Sequence, residues 1–508
     1  MSQADVTVIV SVYNTMPYLT DCLTSLVEQT IGVDRIEIVA VDDGSTDGSG
    51  DEIDRFAELY PGTISSLHQP NSGGPASPCN KGLEVATGRY VFFIGADDHL
   101  GAEALERLVK AADEWESDVV LGKLEGTSGR KVYDEIFTEQ SPDVDLFESR
   151  LPYALANVKL FRRALIEKYR LRFPEDLPMG SDQPFTFEAL LRSNRTSILN
   201  DYTYYYAVRR ADASNITFSS TDLLRAQCAG RVMDFVAGLV EPGSRRDWVL
   251  RRHFQWELSE TLQSGFPDAT ADEQSALCAE VGGLVEKYFT DNIRDSLAVS
   301  YGLRFELARA GELETLRDVI RVDYGSGAHP PPFITEGGRV FRGYPGLGQG
   351  TIGDDAYEVR HRRLVGPVGK QLKIDATREA DGGLDIDADL PVVPRTGGVF
   401  AEFVLEPIRT GESVPKARIR AVAEDAGKVL ARIELSADPE SGSNRIHAHI
   451  SPGALAPEGS NDNVLSSLRL QFPVGDTVLD FPVRIPASMA NAGAGLWARV
   501  RQFGRRKH

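Results

Sequence analysis

Three acidic stretches of this chain combine residue types that could do chemistry. VFFIGADDHL (91–100) drives an apolar run into two adjacent carboxylates, Asp97 and Asp98. Carboxylate oxygens are hard ligands that suit Mg2+ or Mn2+ still partly held by diphosphate oxygens. A cation bridging a diphosphate leaving group stabilises the charge that develops as it departs. VDDGSTDGS (41–49) sets Asp42 and Asp43 before Gly44. Carboxylates there can accept hydrogen bonds from ribose hydroxyls or a base N–H, and glycine allows a close turn. FPEDLPMGSDQPFTFEALL (173–191) holds Asp182 between turn residues and a helical pattern, where it could take a proton from a hydroxyl. Each stretch also has a plainer explanation, because Asp and Ser cap helices and build turns. The residues by themselves leave both explanations open.

The surrounding elements must position these acids. VTVIVSVY (6–13), IEIVAVDD (36–43), RYVFFIG (89–95) and SDVVLGKLEG (117–126) are apolar, strand-like runs. Residues 17–30, 48–60, 79–87 and 102–114 carry helical spacing. Continuous apolar strands alternating with helices imply a mostly parallel sheet covered on both faces. Such sheets bind ligands beyond the carboxyl ends of their strands, which is where both Asp pairs fall. The pattern is mixed from about 130 to 218 and helical over 221–320, and the stretch 324–355 is dense in Gly and Pro. Beyond it, short alternating segments from HRRLVGPVGKQLKIDATRE to LDFPVRIP predict an all-β sandwich. The expected division is an α/β catalytic domain (1–218), a helical linker region (219–325), a β-rich C-terminal domain (326–486) and a basic tail (487–508).

SVYN (11–14), VDDGSTDGS (41–49), NSGGPASPCNKGLEVATGRYVFFIGADD (71–98) and GSDQPF (180–185) stand in the order and spacing of one family. Over roughly residues 5–210 the chain resembles the GT-A fold family 2 glycosyltransferases. Within that family its layout is most similar to the enzymes that decorate wall teichoic acid in Gram-positive bacteria. The resemblance implies a Rossmann-like GT-A domain and a β-rich C-terminal part that forms a homotrimer. It implies that Val12, Tyr13 and Asn14 border the nucleotide and that Asp42 and Asp43 contact uridine. It places Asn71, Gly73, Gly74, Asn80, Lys81 and Ala96 along the sugar-nucleotide cleft. Asp97 would ligate Mn2+ or Mg2+ with Asp98 beside it, and Asp182 would be the catalytic base of an inverting transfer. Arg209, Arg210 and Ser214, within TYYYAVRRADASNIT (203–217), are candidates for contacts with diphosphate or acceptor, since guanidinium matches phosphate geometry; a solvated basic turn is the alternative.

Two residues depart from the family pattern. Gly95 stands where members commonly have the first acid of Asp-x-Asp, and Cys79 stands where Arg is common. Lys81 and Arg89 are the cations near enough in sequence to replace that Arg.

Composition narrows the partners. The formal net charge is −20, against the basic field that nucleic-acid phosphate requires. No apolar run has the length of a membrane span, the N-terminus does not read as a signal peptide, and four scattered cysteines suit a reducing cytoplasm. The tail GLWARVRQFGRRKH (495–508) could touch an anionic membrane from the cytoplasmic side or act as a solubilising terminus. The QxxRW motif of processive relatives is missing from the sequence, which favours addition of single sugars. The leading expectation is therefore a UDP-sugar-dependent glycosyltransferase acting on a hydroxyl of a polysaccharide or polyol-phosphate polymer. Capsule or exopolysaccharide assembly on a lipid carrier is one alternative, and a degenerate GT-A domain serving as a binding scaffold is another.

Overall fold

The computed structural model describes residues 4–210, 220–325, 331–336, 339–350 and 352–359, together with the further strands named below. The chain divides into two compact units, Met1–Leu313 and Glu314–His508.

The first unit is organised around a seven-stranded sheet. Its strands are β1 (Val6–Val12), β2 (Ile36–Asp42), β3 (Ile64–His68), β4 (Tyr90–Gly95), β6 (Val119–Gly122), β8 (Leu160–Arg162) and β9 (Thr196–Leu199). The spatial order is β3-β2-β1-β4-β8-β6-β9. β1 runs parallel to β2 and β4, so Val12 lies beside Asp42 and Ser11 beside Gly95. The order turns at β1, with β2 and β3 on one side and β4 on the other. Such a switch point opens a crevice above the carboxyl ends. Residues of both faces of β1 are buried (Val6, Val8, Ile9 and Val10 at 0% exposure), which explains the unbroken apolar run.

Helices α1 (Tyr18–Val27), α2 (Ser49–Leu59), α3 (Ala76–Val85) and α4 (Ala104–Glu114) cover the sheet. α1 buries Leu19, Cys22, Leu23 and Leu26, a spacing of three to four residues that makes one face. The structure differs from expectation in three places. β3 (ISSLH) was not visible as a strand, because it lies at the sheet edge and only Ile64 is buried. The segment 117–126 is two strands, β6 and β7 (Leu124–Thr127), which belong to different sheets. The break falls at Lys123, just after Gly122, where a Cβ would come within 2.5 Å of the Tyr204 ring. β8 is antiparallel to both neighbours.

A small second sheet joins β5 (His99–Leu100), β10 (Tyr205–Val208) and β7 in the order β5-β10-β7. Helices α5 (Arg163–Tyr169) and α6 (Asp182–Arg192) flank β8 and β9 in the chain. A helical region follows: α7 (Asp222–Leu239), α8 (Ser244–Gln255), α9 (Glu257–Thr261), α10 (Ala271–Tyr288), α11 (Asp291–Ser296) and α12 (Val299–Ala310). α10 begins with a reciprocal Thr270–Glu273 capping box.

The second unit contains α13 (Leu313–Tyr324) and the antiparallel pair β11 (Phe333–Glu336) and β12 (Arg339–Arg342). The Gly/Pro-dense stretch 324–355 therefore holds a strand pair. β15 (Val392–Pro394) extends that pair into a sheet ordered β12-β11-β15. Two antiparallel sheets follow. The first joins β13 (Lys373–Arg378), β14 (Leu384–Leu390), β20 (Ser443–Ile450), β19 (Lys428–Asp438) and β18 (Val422–Asp425). The second joins β17 (Ala417–Arg420), β16 (Glu402–Glu406), β21 (Ser467–Val474) and β22 (Thr477–Val483). Ser214 and the basic tail lie outside the described residues. Among the described residues no helix is long and apolar enough to cross a membrane.

Candidate active site

The crevice above β1 and β4 is a cleft of about 730 Å³. Val12, Tyr13, Asn14, Asp43, Asn71, Gly73, Gly74, Ala96, Asp97, Asp98, Asp182 and Arg210 all line it. Asp42, Asn80, Lys81 and Arg209 are not among its lining residues.

The capping explanations can now be decided. The helix after Asp97 and Asp98 starts at Ala104 with Glu103 as its N-cap, so neither acid caps it. Ser181 is the N-cap of α6, and Asp182 is the first helical residue with its side chain at the cleft. A carboxylate in that first turn gains from the partial positive charge of the helix N-terminus. Burial nonetheless raises the Asp182 carboxyl above the usual range, opposed by Arg252 and Lys159 and reinforced by Glu257.

The β2 end is partly a turn, as the plainer explanation held. Asp42 accepts a hydrogen bond from Ser45 N–H (3.0 Å) and pairs with His68 Nδ1 (3.2 Å), which ties it down beneath the cleft. Asp43 faces the cleft wall and accepts from Ser72 N–H (3.1 Å), Ser72 Oγ (2.9 Å) and Gln69 Nε2 (2.6 Å). It therefore holds the loop carrying Asn71, Gly73 and Gly74. Asn14 adopts φ +48°, and its Oδ1 accepts from Thr46 N–H at 2.8 Å. Asn tolerates that left-handed conformation better than most residues. Tyr13 beside it is 45% exposed, leaving a ring face at the cleft rim.

Asp97 and Asp98 have separate jobs. Arg210 Nε lies 2.8 Å from Asp97 Oδ2. Asp98 Oδ2 accepts from the Tyr205 hydroxyl (2.5 Å), and its Oδ1 accepts from Val208 N–H (2.7 Å) and sits 3.3 Å from Arg130 Nη1. Burial and the charge of Asp97 push Asp98 up to about 6. Asp98 thus binds the small sheet to the end of β4, with both oxygens committed. Asp97 fits a divalent cation, since hard cations on nucleotides commonly use one or two carboxylates and complete their shell from phosphates and water. Asp98 does not fit as a second ligand. Among the described residues no group of three or more His, Cys, Asp and Glu converges on a metal-sized site.

The remaining sequence candidates are placed elsewhere. Asn80 is buried and bridges Phe173 in both directions, Nδ2 to O and N–H to Oδ1, each at 2.9 Å, and also reaches Glu175. Lys81 Nζ donates to His68 O (2.9 Å). Arg89 pairs with Asp5 and Asp113 at the amino end of β4, so it does not replace the missing Arg. The cleft cations are Arg130 and Arg210. Arg130 is not singled out by the sequence; its signal there is an Arg-Lys pair (130–131) in the turn after the strand pattern 117–126. Cys79 lies in the cleft wall, and burial holds its thiol up at about 12.

Comparison with known proteins bears on the family and fold of the first unit. A family model described as Glycosyl transferase family 2 matches residues 7–169. Residues 7–169 form a family 2 glycosyltransferase domain. A second model, the Glycosyl transferase TarS linker domain, matches residues 227–320, the helical region. The chain is 38% identical over 205 residues to a poly(ribitol-phosphate) beta-glucosyltransferase of Bacillus spizizenii, covering 40% of this chain and 32% of that protein. It is 40% identical over 203 residues to the poly(ribitol-phosphate) beta-N-acetylglucosaminyltransferase TarS of Staphylococcus aureus, covering 40% and 35%. The matched segment thus spans about a third of the length of these relatives. Among solved structures, S. aureus TarS 1-349 in complex with UDP-GlcNAc matches at TM-score 0.58 and 29% identity, covering 67% of this chain and 97% of that one. The crystal structure of S. aureus TarS matches at TM-score 0.63 and 22% identity, covering 94% and 77%, which supports the shared fold.

Proposed function

We propose that this chain is an inverting glycosyltransferase that moves one sugar from a UDP-sugar to a hydroxyl of a poly(polyol phosphate). The observation that carries the reading is the single cleft shared by Asp97, at the end of β4, and Asp182, at the start of α6. Tyr13 and Asn14 border the nucleotide, and Asp43 orders the 71–74 loop against it. Asp97 would hold Mn2+ or Mg2+, which when bound supplies positive charge to the departing diphosphate. Arg130 and Arg210 add guanidinium charge to the same region. Asp182 accepts the proton of the acceptor hydroxyl as that oxygen forms its bond to the anomeric carbon. The bond from that carbon to the UDP oxygen breaks at the opposite face, and UDP leaves with the bonding electrons.

The acceptor class rests on the activities for which the Bacillus and Staphylococcus relatives are named, and the UDP donor on the TarS complex. The β strands of the second unit are poor in the aromatic residues that stack sugars, so we assign them to self-association, with a homotrimer as the expectation. Light scattering of the full chain tests that assignment.

The experiment is UDP release from a panel of UDP-sugars with Mn2+ or Mg2+ and poly(ribitol phosphate), with Asp182→Asn and Asp97→Ala in parallel. Turnover of one sugar nucleotide, lost in both variants, supports the reading. Turnover unaffected by either variant sinks it.

A further inference from the structure

Behind Asp182 lies a buried charged cluster supplied by the helical region. Arg252 of α8 is 7% exposed and places Nη1 2.8 Å from Gln183 Oε1 and 2.7 Å from Glu257 Oε1. Gln183 Nε2 also reaches Glu257 Oε1 at 3.2 Å. Gln183 is the residue after Asp182, in the same first turn of α6. His253 Nδ1 stands 3.4 Å from Glu257 Oε2. Glu257 pairs the buried charge of Arg252, and among the described residues its Nε has no hydrogen-bond partner, so the guanidinium is engaged through Nη1. A buried guanidinium is costly unless its charge serves a neighbour.

We infer that Arg252 is a positioning residue that fixes the first turn of α6 through Gln183 and so holds Asp182 at the cleft. The helical region is then part of the active site. The groups that act electrostatically on Asp182 are Arg252 and Glu257 from that region and Lys159 beside β8, while Asp182 in turn helps raise the neutral thiol of Cys79 on α3. His253 faces Glu257 within the same cluster. Burial drives Asp182 toward its neutral form, Arg252 opposes this most strongly, and Lys159 adds a smaller opposing pull. Lys159 is itself held down at about 7 by burial, so its share of charge fades above neutrality and Arg252 carries the task. A neutral carboxylic acid cannot accept the acceptor's proton, so the transfer depends on this charge.

The inference rests on Asp182 being the base, and the test separates the two. kcat/KM for UDP release with poly(ribitol phosphate) is measured against pH for the native chain and for Arg252→Gln, Arg252→Lys, Glu257→Gln and Asp182→Asn. Arg252→Gln should move the acidic limb up by about one unit, so that its deficit shrinks as pH rises. Arg252→Lys should restore most of the native limb. Glu257→Gln, which removes the opposing negative charge, should move the limb down. UDP-sugar affinity by calorimetry should stay unchanged in the Arg252 and Glu257 variants. A uniform loss at every pH in Arg252→Gln, with the limb unmoved, overturns the inference, as does a Glu257→Gln limb moving upward. If Arg252→Gln loses its fold by circular dichroism, the Arg252→Lys and Glu257→Gln limbs decide. An active Asp182→Asn defeats the base reading itself; an inactive one beside unmoved limbs defeats only the role of Arg252.

Discussion

Arg210 Nε sits 2.8 Å from Oδ2 of Asp97, so the acid best placed to hold a metal already carries a cation of the protein. The two elements meet because β10 delivers Val208 and then Arg210 to the end of β4. A divalent ion at Asp97 and the guanidinium compete for the same negative charge. Arg210 then has the donor's diphosphate as an alternative partner. Removing metal with a chelator should therefore weaken UDP-sugar binding, and Mn2+ should restore it. Asp97→Ala should abolish that metal response, with turnover reduced on the order of 100-fold or more, as for loss of a key charge-stabilising group. Arg210→Ala should keep the metal response while weakening UDP affinity by about tenfold, roughly the value of one charge-assisted hydrogen bond. Calorimetry with UDP, with and without chelator, reads the three binding effects, and UDP release reads the turnover of Asp97→Ala.

Asn80 belongs to the family motif but serves the scaffold. Its amide exchanges two hydrogen bonds with Phe173 and so anchors the loop that leads to Asp182. Asn80→Ala leaves a buried N–H and C=O unpaired, and should cost about 1–3 kcal/mol of stability. UDP affinity should hold, because Asn80 does not line the cleft, while kcat falls as the loop carrying Asp182 loosens. A denaturant titration and a calorimetric UDP titration separate this from a donor-contact role. Lost UDP affinity with unchanged stability would refute it.

Much of this site was legible in the sequence because strand ends announce themselves. The apolar runs closing at Asp42 and Gly95 mark the crevice, since a parallel sheet must bury both faces of its strands and release polar residues only beyond them. Asp182 is visible between turn residues and a helical pattern, and the resemblance implies its role as base where its own segment leaves helix capping open. The failures have physical causes. β3 is an edge strand with one buried residue, so it carries no apolar run. Asp98 and Asp97 look equivalent in sequence, yet Asp98 is spent on Tyr205 and Val208, more than 100 positions away. Arg252 lies in an unremarkable helical stretch, and only the packing of α8 and α9 against α6 brings it to Gln183. Contacts between distant parts of a chain leave no local pattern.

Acid should unfold the helical region through Glu257. Burial alone would raise this carboxyl, but Arg252 and His253 pull it down to about 2, against an ordinary value of 4.5. A depressed folded value means the unfolded chain binds the proton more readily. The stabilisation is therefore fully present above 4.5 and is lost as pH falls from 4.5 through 2. Glu257→Gln should remove that dependence and cost about 3–5 kcal/mol at neutral pH, because it strands the buried Arg252 charge. Unfolding free energies at pH 7, 4 and 3 check the slope. Equal pH dependence in native and variant chains would contradict the assignment.

Gly95 offers the sharpest test of how this cleft balances charge. Members of the family commonly carry an acid there, so Gly95→Asp restores the familiar motif. A Cβ at Gly95 would lie 3.0 Å from Asp97 Oδ1 and 3.1 Å from Asp98 Oδ2, with the Tyr205 hydroxyl at 3.6 Å. A third carboxylate would therefore be forced against two others, one of them already raised to about 6 by burial and its neighbour. Like charges at that distance disfavour ionisation and compete for Arg130, Arg210 and any metal. Gly95→Asp should lower UDP-sugar affinity by about tenfold at neutral pH, with part of the loss recovered as pH falls and the cluster takes up a proton. Gly95→Asn adds nearly the same bulk without the charge and should lose less. Tighter metal-dependent binding in Gly95→Asp would mean that the cleft was short of an acid, and that Arg210 on Asp97 had been filling the place of one.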